Sequence, residues 1–429
     1  MDHVLGLQCL ICGAEYGVDE TLYVCPKHGE EGILDVQYDY EKIKGRISPE
    51  TLSPAGPRSM WRYTPLLPID PLTLVGLHEG RLPAHPLFSV GWTPLYRSPG
   101  LARRVGLAEV YVKNDGLMPS ASLKDRASAI AILKALELER DVIAGASTGN
   151  AASSLATLSA SLGLKNIIFV PAAAPQAKIA QLLVYGATVL AVDGTYDQAF
   201  DLCLAASKAH GWYNRNTAYN PYMTEGKKTV GYEICEQLGW EVPDRIFVGV
   251  GDGCIIGGLH KGFKDMLALG WIDRVPRLMG VQAAGSAALV TAWKQNTAPL
   301  DMVPIEAHTI ADSISAGLPR DRIKAMRAVV ETDGAFISVS DQEILQSIPV
   351  LARSAGVFAE PAGAAPYAGL VKAVSSGMVA AHERVVVLVT GNGLKDVGSA
   401  IQAVGHPTVV QPDLEAVNTA LQTLTSPSL

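Results

Sequence analysis

The clearest pattern in this chain is an alternation of short apolar segments with longer amphipathic ones, beginning at about residue 107. EVYVKND, DVIAGAS, NIIFVPA and TVLAVD have the length and the apolar content of buried strands. Between them, SLKDRASAIAILKALELE and NAASSLATLSASLG have the length and apolar spacing of helices. The alternation resumes after residue 228 with RIFVGVGDG, RLMGVQA and ERVVVLVTGNG. This order predicts βαβ units, and therefore an α/β fold whose parallel sheets are covered on both faces.

The same pattern divides the chain into four predicted parts. Residues 1–40 hold a cysteine- and histidine-containing knuckle, and residues 41–90, rich in proline and glycine, are predicted to be an extended wrapping segment. Residues 140–220 form a small α/β lobe. Residues 91–139 and 221–429 together form a large lobe. A chain of 429 residues is long enough for two lobes and an appendage.

Composition and charge exclude several classes of partner. Hydrophobic residues make up 48% of the chain and charged residues 18%, which supports a large buried core. The net charge is −7 and no lysine- or arginine-rich run occurs, so neither nucleic acid nor an anionic membrane is predicted as a partner. No apolar stretch reaches the roughly 18 residues of a membrane span. The first residues do not resemble a signal peptide, and a cytoplasmic location is therefore predicted.

Three of the six cysteines form a pattern with a histidine near the N-terminus. Cys9 and Cys12 are followed, after twelve residues, by Cys25 and His28. Two turns that each offer two ligands, spaced two residues apart, are typical of a tetrahedral structural zinc site, here of zinc-ribbon type. A reduced, metal-free knuckle with an exposed histidine is the alternative. The remaining cysteines, in apolar surroundings, are predicted to be buried core residues: Cys203, Cys235 and Cys254.

Five loops at predicted strand ends carry the polar residues and glycines of chemical interest. Each alone has an ordinary explanation: Lys124 in the first turn of a helix is also a common surface residue, and Ser147 or Thr148 is also a plain helix cap. A glycine-rich loop before a helix suits a phosphate, but alone it is a weak signal. The loops are SLKDR around Lys124, STGN at residues 147–150, GVGDGC at residues 249–254, TGNG at residues 390–393, and NPYMTEG at residues 220–226.

Taken together and in this order, the motifs resemble those of a known family. The sequence is similar to threonine synthase and its relatives within the fold-type II (tryptophan synthase β-like) enzymes, which use pyridoxal 5′-phosphate (PLP). The resemblance extends from the knuckle to about residue 405. It implies a two-lobed fold whose large lobe binds PLP, a small amino-acid substrate and a homodimer. The motifs that carry it are GWTPLYRS, SLKDRAS, STGN, EGKKT, GDG, EPAG and TGNGLKD.

The resemblance also implies a role for individual residues. Lys124 would hold PLP as a Schiff base and transfer protons at Cα, and Asn150 would hydrogen-bond the phenolic oxygen of the cofactor. Thr390 would face the pyridine nitrogen; a hydroxyl there makes a weaker electron sink than an acid and favours elimination or replacement over transamination. The backbone amides that would hold the cofactor phosphate belong to Gly251, Asp252, Gly253 and Cys254. The residues that would contact the substrate are Ser147, Thr148, Gly149 and Met223.

At four positions the sequence departs from the family pattern for gripping the phosphate of O-phosphohomoserine. Polar residues are expected there, but the chain has apolar ones: Ala151, Ala218, Met223 and Ile255. Asp252 is a further departure, because a carboxylate beside a phosphate repels it unless the side chain points away. The departures favour a changed substrate; alternatively, other cations supply the anion site, such as Lys113, Lys227 or Arg215.

The sequence therefore predicts a PLP-dependent lyase or replacement enzyme that catalyses α,β-elimination or β-replacement on a small L-amino acid. The alternative is threonine synthase itself, which converts O-phosphohomoserine to threonine and phosphate. A catalytically silent subunit with the same fold is disfavoured, because Lys124, Asn150 and Thr390 are all present.

Overall fold

The computed structural model describes residues 1–20, 23–52, 56–77, 85–174 and 176–425. Its strands are β1 Val4–Cys9, β2 Glu15–Tyr16, β3 Leu34–Tyr38, β4 Leu95–Arg97, β5 Glu109–Asn114, β6 Val142–Ala146, β7 Lys165–Pro171, β8 Thr188–Val192, β9 Tyr213–Asn214, β10 Arg245–Gly249, β11 Arg277–Ala283, β12 Ala335–Val339 and β13 Arg384–Val389. Its helices are α1 Tyr40–Lys44, α2 Pro71–Gly76, α3 Pro99–Val105, α4 Lys124–Glu137, α5 Asn150–Ala160, α6 Gln176–Val184, α7 Tyr196–His210, α8 Tyr222–Lys227, α9 Thr229–Gln237, α10 Cys254–Leu269, α11 Ala288–Gln295, α12 Arg322–Glu331, α13 Asp341–Ala355, α14 Pro361–Ser375, α15 Val397–Val404 and α16 Leu414–Thr425.

The predicted α/β fold is confirmed, and the parallel strands fall into two sheets. The larger has the order β12-β11-β10-β13-β5-β4, in which only β4 runs antiparallel to its neighbour. The smaller has the order β8-β7-β6-β9 and is parallel throughout. Strands β10 and β13 consist almost entirely of buried residues, as expected for a sheet covered by helices on both faces. The smaller sheet lies within residues 140–220, the range predicted for the small lobe.

The N-terminal part is a small antiparallel sheet with the order β2-β1-β3. After it, the described parts of residues 41–90 contribute α1, α2 and short 3₁₀ turns whose apolar side chains pack into the main core. Met60, Tyr63 and Leu67 are fully buried there. The described parts of this segment therefore belong to the main hydrophobic core. Residues 53–55 and 78–84 of the predicted wrapping segment lie outside the described residues.

Residues 220–226 were predicted as a loop joining the lobes, whereas the structure has helix α8 beginning at Tyr222. This helix is buried and packs closely against α4. Gly226 makes that contact possible: a Cβ atom at this position would lie 1.9 Å from the carbonyl oxygen of Arg126. Asn-Pro and glycine normally favour a turn, and here the packing against α4 overrides that preference.

A buried ion network fixes the N-terminal part of α4. The guanidinium of Arg126 donates to Asp115, with an Nε–Oδ2 distance of 2.8 Å, and also to Glu233 on α9. Glu233 also accepts from Lys113 on β5, at 2.7 Å. All four side chains are fully buried. The network therefore joins α4, α9 and the end of β5. Its member Arg126 is two positions after Lys124 in α4.

No helix in the described part of the chain is both long enough and apolar enough to cross a bilayer.

Candidate active site

A cavity of about 670 Å³ opens where the carboxyl ends of strands from both sheets meet. Lys124, Asn150 and Asp252 all line it, although they follow β5, β6 and β10 respectively. Carboxyl ends of parallel strands are the usual ligand-binding edge of an α/β sheet. The structure thus brings together three of the loops in which the sequence analysis placed the chemistry.

Lys124 is the first residue of α4, and its partly buried side chain lines the cavity. The residue before it, Leu123, donates its backbone N–H to the carbonyl of Thr390 at 2.9 Å, which ties this turn to the end of β13. Burial lowers the pKa of Lys124, and the nearby charge of Arg215 lowers it further. A larger fraction of neutral amine makes Lys124 a better nucleophile and proton acceptor.

The loop at residues 147–150 connects β6 to α5 and lines the cavity over its full length. The N-terminus of α5 begins at Asn150 and no side chain caps it. The first-turn N–H groups of an uncapped helix, together with the helix dipole, favour a carboxylate or another anion. The side chain of Asn150 donates to Glu360 at 2.7 Å and to Ser313 at 3.1 Å.

The glycine loop after β10 leads directly into the N-terminus of α10. A Cβ atom at Gly251 would lie 2.9 Å from the Cα of Ile314, and Gly253 has a φ of +98°, which few other residues adopt. No side chain caps α10. The carboxylate of Asp252, which also lines the cavity, accepts the backbone N–H of Arg320 at 3.2 Å. The loop therefore fits the phosphate group of PLP.

Two buried cations near Lys124 have incomplete hydrogen bonding. Among the described residues, none accepts a hydrogen bond from Nζ of Lys227 or from Nε of Arg215. One Nη of Arg215 donates to Ser128 at 3.1 Å. Burial, reinforced by the charge of Lys124, lowers the pKa of Lys227 to about 8. Burial lowers the pKa of Arg215 to about 10. Buried cations whose hydrogen bonding is incomplete favour an anion nearby, because an uncompensated buried charge is costly.

The third cation considered from the sequence, Lys113, is already paired. It donates to Glu233, to the carbonyl of Thr93 and to Gln237, at 2.7, 2.7 and 2.9 Å. Of the alternatives drawn from the sequence, Arg215 lines the cavity with a guanidinium whose hydrogen bonding is incomplete. Lys227 also has an unpaired ammonium and is close enough to Lys124 for the two charges to interact, but it is fully buried and is not among the residues that line the cavity.

The four apolar departures from the family pattern have different surroundings. Ala151 and Ala218 line the cavity. Ile255 packs against the main core. Met223 is only 1% exposed, lies in the same core and is not among the residues that line the cavity. The structure therefore does not bring Met223 to the proposed substrate site.

Thr390 and Glu360 lie behind the cavity. Thr390, which directly follows β13, is buried, and its backbone carbonyl accepts from Leu123. Glu360 was not singled out from the sequence, although its EPAG motif was noted. Burial raises the pKa of Glu360 to about 7, against the opposing effect of the Lys395 charge and the hydrogen bond from Asn150. The residues at the cavity mouth were also missed: Glu30, Glu31, Arg320 and Arg322.

The four predicted metal ligands converge at the turns of the N-terminal sheet. The donor atoms of Cys9, Cys12, Cys25 and His28 all lie within 4.8 Å of one another. Nδ1 of His28 is 3.8 Å from Sγ of Cys9 and 3.5 Å from Sγ of Cys25. Tetrahedral zinc with bonds of about 2.0–2.3 Å separates its donor atoms by roughly 3.3–3.8 Å. The residues therefore fit a zinc ion.

Comparisons with known proteins agree with this geometry. The family described as "Pyridoxal-phosphate dependent enzyme" matches residues 87–391. The threonine synthase of Methanocaldococcus jannaschii is 38% identical over 420 residues, which cover 97% of this chain and 99% of that protein. The threonine synthase of Methanosarcina acetivorans is 39% identical over 418 residues, covering 97% and 98%.

Solved structures share the fold at lower identity. Threonine deaminase isoform 2 from Solanum lycopersicum superimposes with a TM-score of 0.63 at 23% identity, over 75% of this chain and 86% of that one. Diaminopropionate ammonia lyase from Escherichia coli gives a TM-score of 0.63 at 20% identity, over 79% and 94%. With the cofactor-sized cavity, the placement of Lys124 and the near full-length relatives, the chain belongs to the PLP-dependent enzyme family and, within it, to the threonine synthase family.

Proposed function

We propose that this enzyme is a threonine synthase, which converts O-phospho-L-homoserine and water to L-threonine and phosphate. The observation that carries the proposal is the pair of buried, incompletely bonded cations, Arg215 and Lys227, beside Lys124. Near full-length similarity to two threonine synthases supports it. The reaction breaks the bond between Cγ and the phosphate oxygen, and the oxygen of water forms a new bond to Cβ.

The three anionic groups of cofactor and substrate can each be given a separate site. The uncapped N-terminus of α10 suits the cofactor phosphate, and that of α5 suits the substrate carboxylate. Arg215, which lines the cavity, suits the substrate phosphate and would neutralise it as it leaves. An unphosphorylated amino acid would leave Arg215 buried without an anion, which is unfavourable.

Lys227 offers an account of the missing arginine at position 223. The two positions are four residues apart and therefore lie on the same face of α8, one turn from each other. The resemblance expects an arginine at the first of them; in this chain the positive charge lies one turn further on. If Lys227 takes the place of that arginine, the apolar Met223 does not mean that the anion site has been lost.

The bound cofactor would supply an electron sink for the negative charge that develops at Cα. The neutral amine of Lys124 would accept the proton from Cα and return a proton to the substrate. Asn150, held by Glu360 and Ser313, would orient the cofactor ring through its phenolic oxygen. The hydroxyl of Thr390 remains the proposed neighbour of the pyridine nitrogen.

One observation favours a second candidate function. Ala151 and Ala218 give the cavity wall fewer hydrogen-bond donors than the family pattern predicts. α,β-Elimination or β-replacement on a shorter amino acid, such as O-phospho-L-serine, would also use Arg215 but would need fewer contacts along the side chain.

The test is to incubate the purified, PLP-loaded enzyme with O-phospho-L-homoserine, O-phospho-L-serine, L-serine and L-threonine in parallel. Phosphate, L-threonine and 2-oxo acids are then measured. Equal amounts of phosphate and threonine from phosphohomoserine support the proposal. Release of phosphate and pyruvate from phosphoserine alone would replace it with the second candidate.

Two further expectations stay with this proposal. A homodimer is proposed, and α15 and α16 leave apolar side chains exposed that a second copy would cover, among them Val404 and Leu414. Sedimentation of the wild type and of Val404→Glu tests this, since the charge would favour the monomer. A cytoplasmic location also remains a prediction, which fractionation of cells that express the chain would check.

A further inference from the structure

The N-terminal knuckle, residues 9–33, contacts both lobes instead of standing apart. On the side of the small lobe, the hydroxyl of Tyr23 accepts the backbone N–H of Asn214 at 2.8 Å. Its ring stacks on Tyr219, with 4.8 Å between centroids. The knuckle is therefore attached to the chain segment that leaves β9 and passes along the cavity.

On the side of the large lobe, the contacts come from α12. Arg322 forms an ion pair with Glu31, and Arg327 donates to the carbonyl of Leu10 at 2.9 Å. Glu30 and Glu31 themselves line the cavity. The knuckle thus spans the two lobes at the mouth of the active site.

An apolar contact extends from the knuckle to the phosphate loop. Ile33 packs with Ala218 and Cys254 in one buried cluster, and Leu10 packs against it. Cys254 is the first residue of α10, where the cofactor phosphate is expected to bind. Ala218 also lines the cavity, so this apolar cluster links the knuckle to the cavity wall and to the start of α10.

The knuckle has little else to hold its shape. The described part of residues 10–33 contains a strand of two residues and one 3₁₀ turn, with few fully buried side chains. The four donors that converge in it are Cys9 and Cys12 from one turn and Cys25 and His28 from the other. A metal ion that joins the two turns would supply the stability that so small an apolar core lacks.

We propose that Cys9, Cys12, Cys25 and His28 bind a zinc ion, and that this ion holds Leu10 and Ile33 against the cofactor's phosphate loop. The knuckle is then a wall of the active site, and its metal content controls how tightly PLP is bound. Loss of the ion would release the knuckle from Ala218 and Cys254, expose the N-terminus of α10 to water and weaken the cofactor phosphate contact.

The first experiment compares the PLP-loaded wild type with Cys12→Ser, which removes the exposed ligand of the four. The matched control is Lys27→Ser, an exposed residue of the same knuckle that is not a ligand. Zinc per chain is measured by atomic spectroscopy, and PLP affinity by equilibrium dialysis. We expect one zinc in the wild type and the control, loss of zinc in Cys12→Ser, and a roughly tenfold increase of its PLP dissociation constant, a change of about 1.4 kcal/mol.

A second variant separates the metal from the contact that it supports. Ile33→Ala keeps all four ligands but removes the side chain that reaches Cys254. It should retain its zinc and still bind PLP several-fold more weakly. If Cys12→Ser does not fold, the wild type stripped of zinc with a chelator, and then reloaded with zinc, gives the same comparison.

Two results would overturn the proposal. One is a wild-type protein, purified without chelators, that neither contains zinc nor binds it when zinc is added. The other is unchanged PLP affinity in protein that has lost its zinc. Both measurements are made without substrate, so they are independent of whether the enzyme makes threonine.

Discussion

Asn150 at the start of α5 donates a hydrogen bond of 2.7 Å to Glu360, which immediately precedes α14. The two residues are 210 positions apart in the sequence. Helix α5 packs against the smaller sheet and α14 against the larger one, so the bond joins the two sheets' surroundings. The other side-chain contact of Asn150 is to Ser313, so both hydrogens of its amide are engaged. The hydrogen bond proposed from Asn150 to a cofactor oxygen would therefore replace one of these two bonds, and the contact with Glu360 would set the orientation of the amide beforehand.

Glu360→Gln tests this role through pH dependence. Because the pKa of Glu360 is raised to about 7, the wild-type side chain becomes ionised as the pH rises through neutrality, and its hydrogen bond from Asn150 becomes charge-assisted. We expect kcat and the visible absorbance of bound PLP to change with an inflection near pH 7. Glutamine does not titrate, so the variant should lack that inflection and have a kcat lower by about five- to tenfold.

The raised pKa of Glu360 also makes the stability of the folded protein depend on pH. A carboxyl whose pKa is about 7 in the folded chain, against 4.5 ordinarily, holds its proton more tightly in the folded state. The contribution of Glu360 to stability therefore falls as the pH rises from about 4.5 to about 7. Glu41→Gln, which changes an exposed carboxylate, is the control and should keep the wild-type pH profile of kcat.

An inflection of kcat near pH 7 that persists unchanged in Glu360→Gln would contradict the assignment of that inflection to Glu360.

Arg215→Met tests the proposed site for the substrate phosphate. Replacing a buried cation with an apolar residue of similar size should leave the fold intact. We expect kcat/KM for O-phospho-L-homoserine to fall by about a hundredfold, because a charge-assisted contact to the leaving phosphate is lost. PLP affinity should change little. The exposed Arg353→Met is the control, and a loss of PLP affinity with unchanged kcat/KM would assign Arg215 to the cofactor instead.

Lys124→Ala tests the assignment of the lysine that holds PLP. The variant should lose the covalently bound cofactor, and kcat should fall by about 10²–10⁴-fold because the proton-transfer group is absent. Borohydride reduction followed by peptide mapping should place the cofactor on Lys124 in the wild type and on no peptide in the variant. The exposed Lys208→Ala should behave like the wild type. A modified peptide elsewhere in the chain would show the assignment to be wrong.

Much of the fold could be predicted because hydrophobic periodicity is local. The strands β5, β6 and β7 and the helices α4 and α5 all lie where the alternation placed them. Helix α8 could not be predicted, since the contact that stabilises it, Gly226 against the backbone of Arg126, joins residues a hundred positions apart. Turn-forming residues in the segment indicated a loop, and tertiary packing decided otherwise.

Some features of the candidate site could also be predicted from the sequence and others could not. The lysine and the glycine loop stand in motifs that can be read from the sequence, and both reach the cavity or border it. The sequence does not show whether a buried cation has a counter-ion. Nothing in the sequence distinguishes Lys113 from Lys227, yet Lys113 forms an ion pair with Glu233 and the ammonium of Lys227 has no hydrogen-bond acceptor among the described residues. Nor does the sequence reveal that Ile33 of the knuckle packs on Cys254, because that contact depends on how separate parts of the chain fold together.

Glu233→Gln tests the buried network that holds the N-terminal part of α4. Burial alone would raise the pKa of Glu233, but the charges of Arg126 and Lys113 outweigh it and hold that pKa at about 2. Because the pKa is depressed in the folded state, the carboxylate stabilises the fold above about pH 4.5, and this contribution is lost as the pH falls towards 2. At neutral pH the variant leaves two buried cations short of a counter-charge, which should lower the free energy of unfolding by about 3–5 kcal/mol.

Urea unfolding of the wild type and of Glu233→Gln at pH 7 and at pH 4 measures the loss of unfolding free energy. The matched control is Glu241→Gln, whose carboxylate is 66% exposed and pairs with Arg384 at the surface. It should change the free energy of unfolding by no more than about 1 kcal/mol. The difference in unfolding free energy between wild type and Glu233→Gln should begin to narrow as the pH falls below about 4.5, because the unfolded wild type takes up a proton there that the folded protein takes up only near pH 2. A gap as small as that of the surface control at pH 7 would mean that Arg126 finds sufficient compensation in Asp115 alone, and that α4 and Lys124 do not depend on Glu233 for their position.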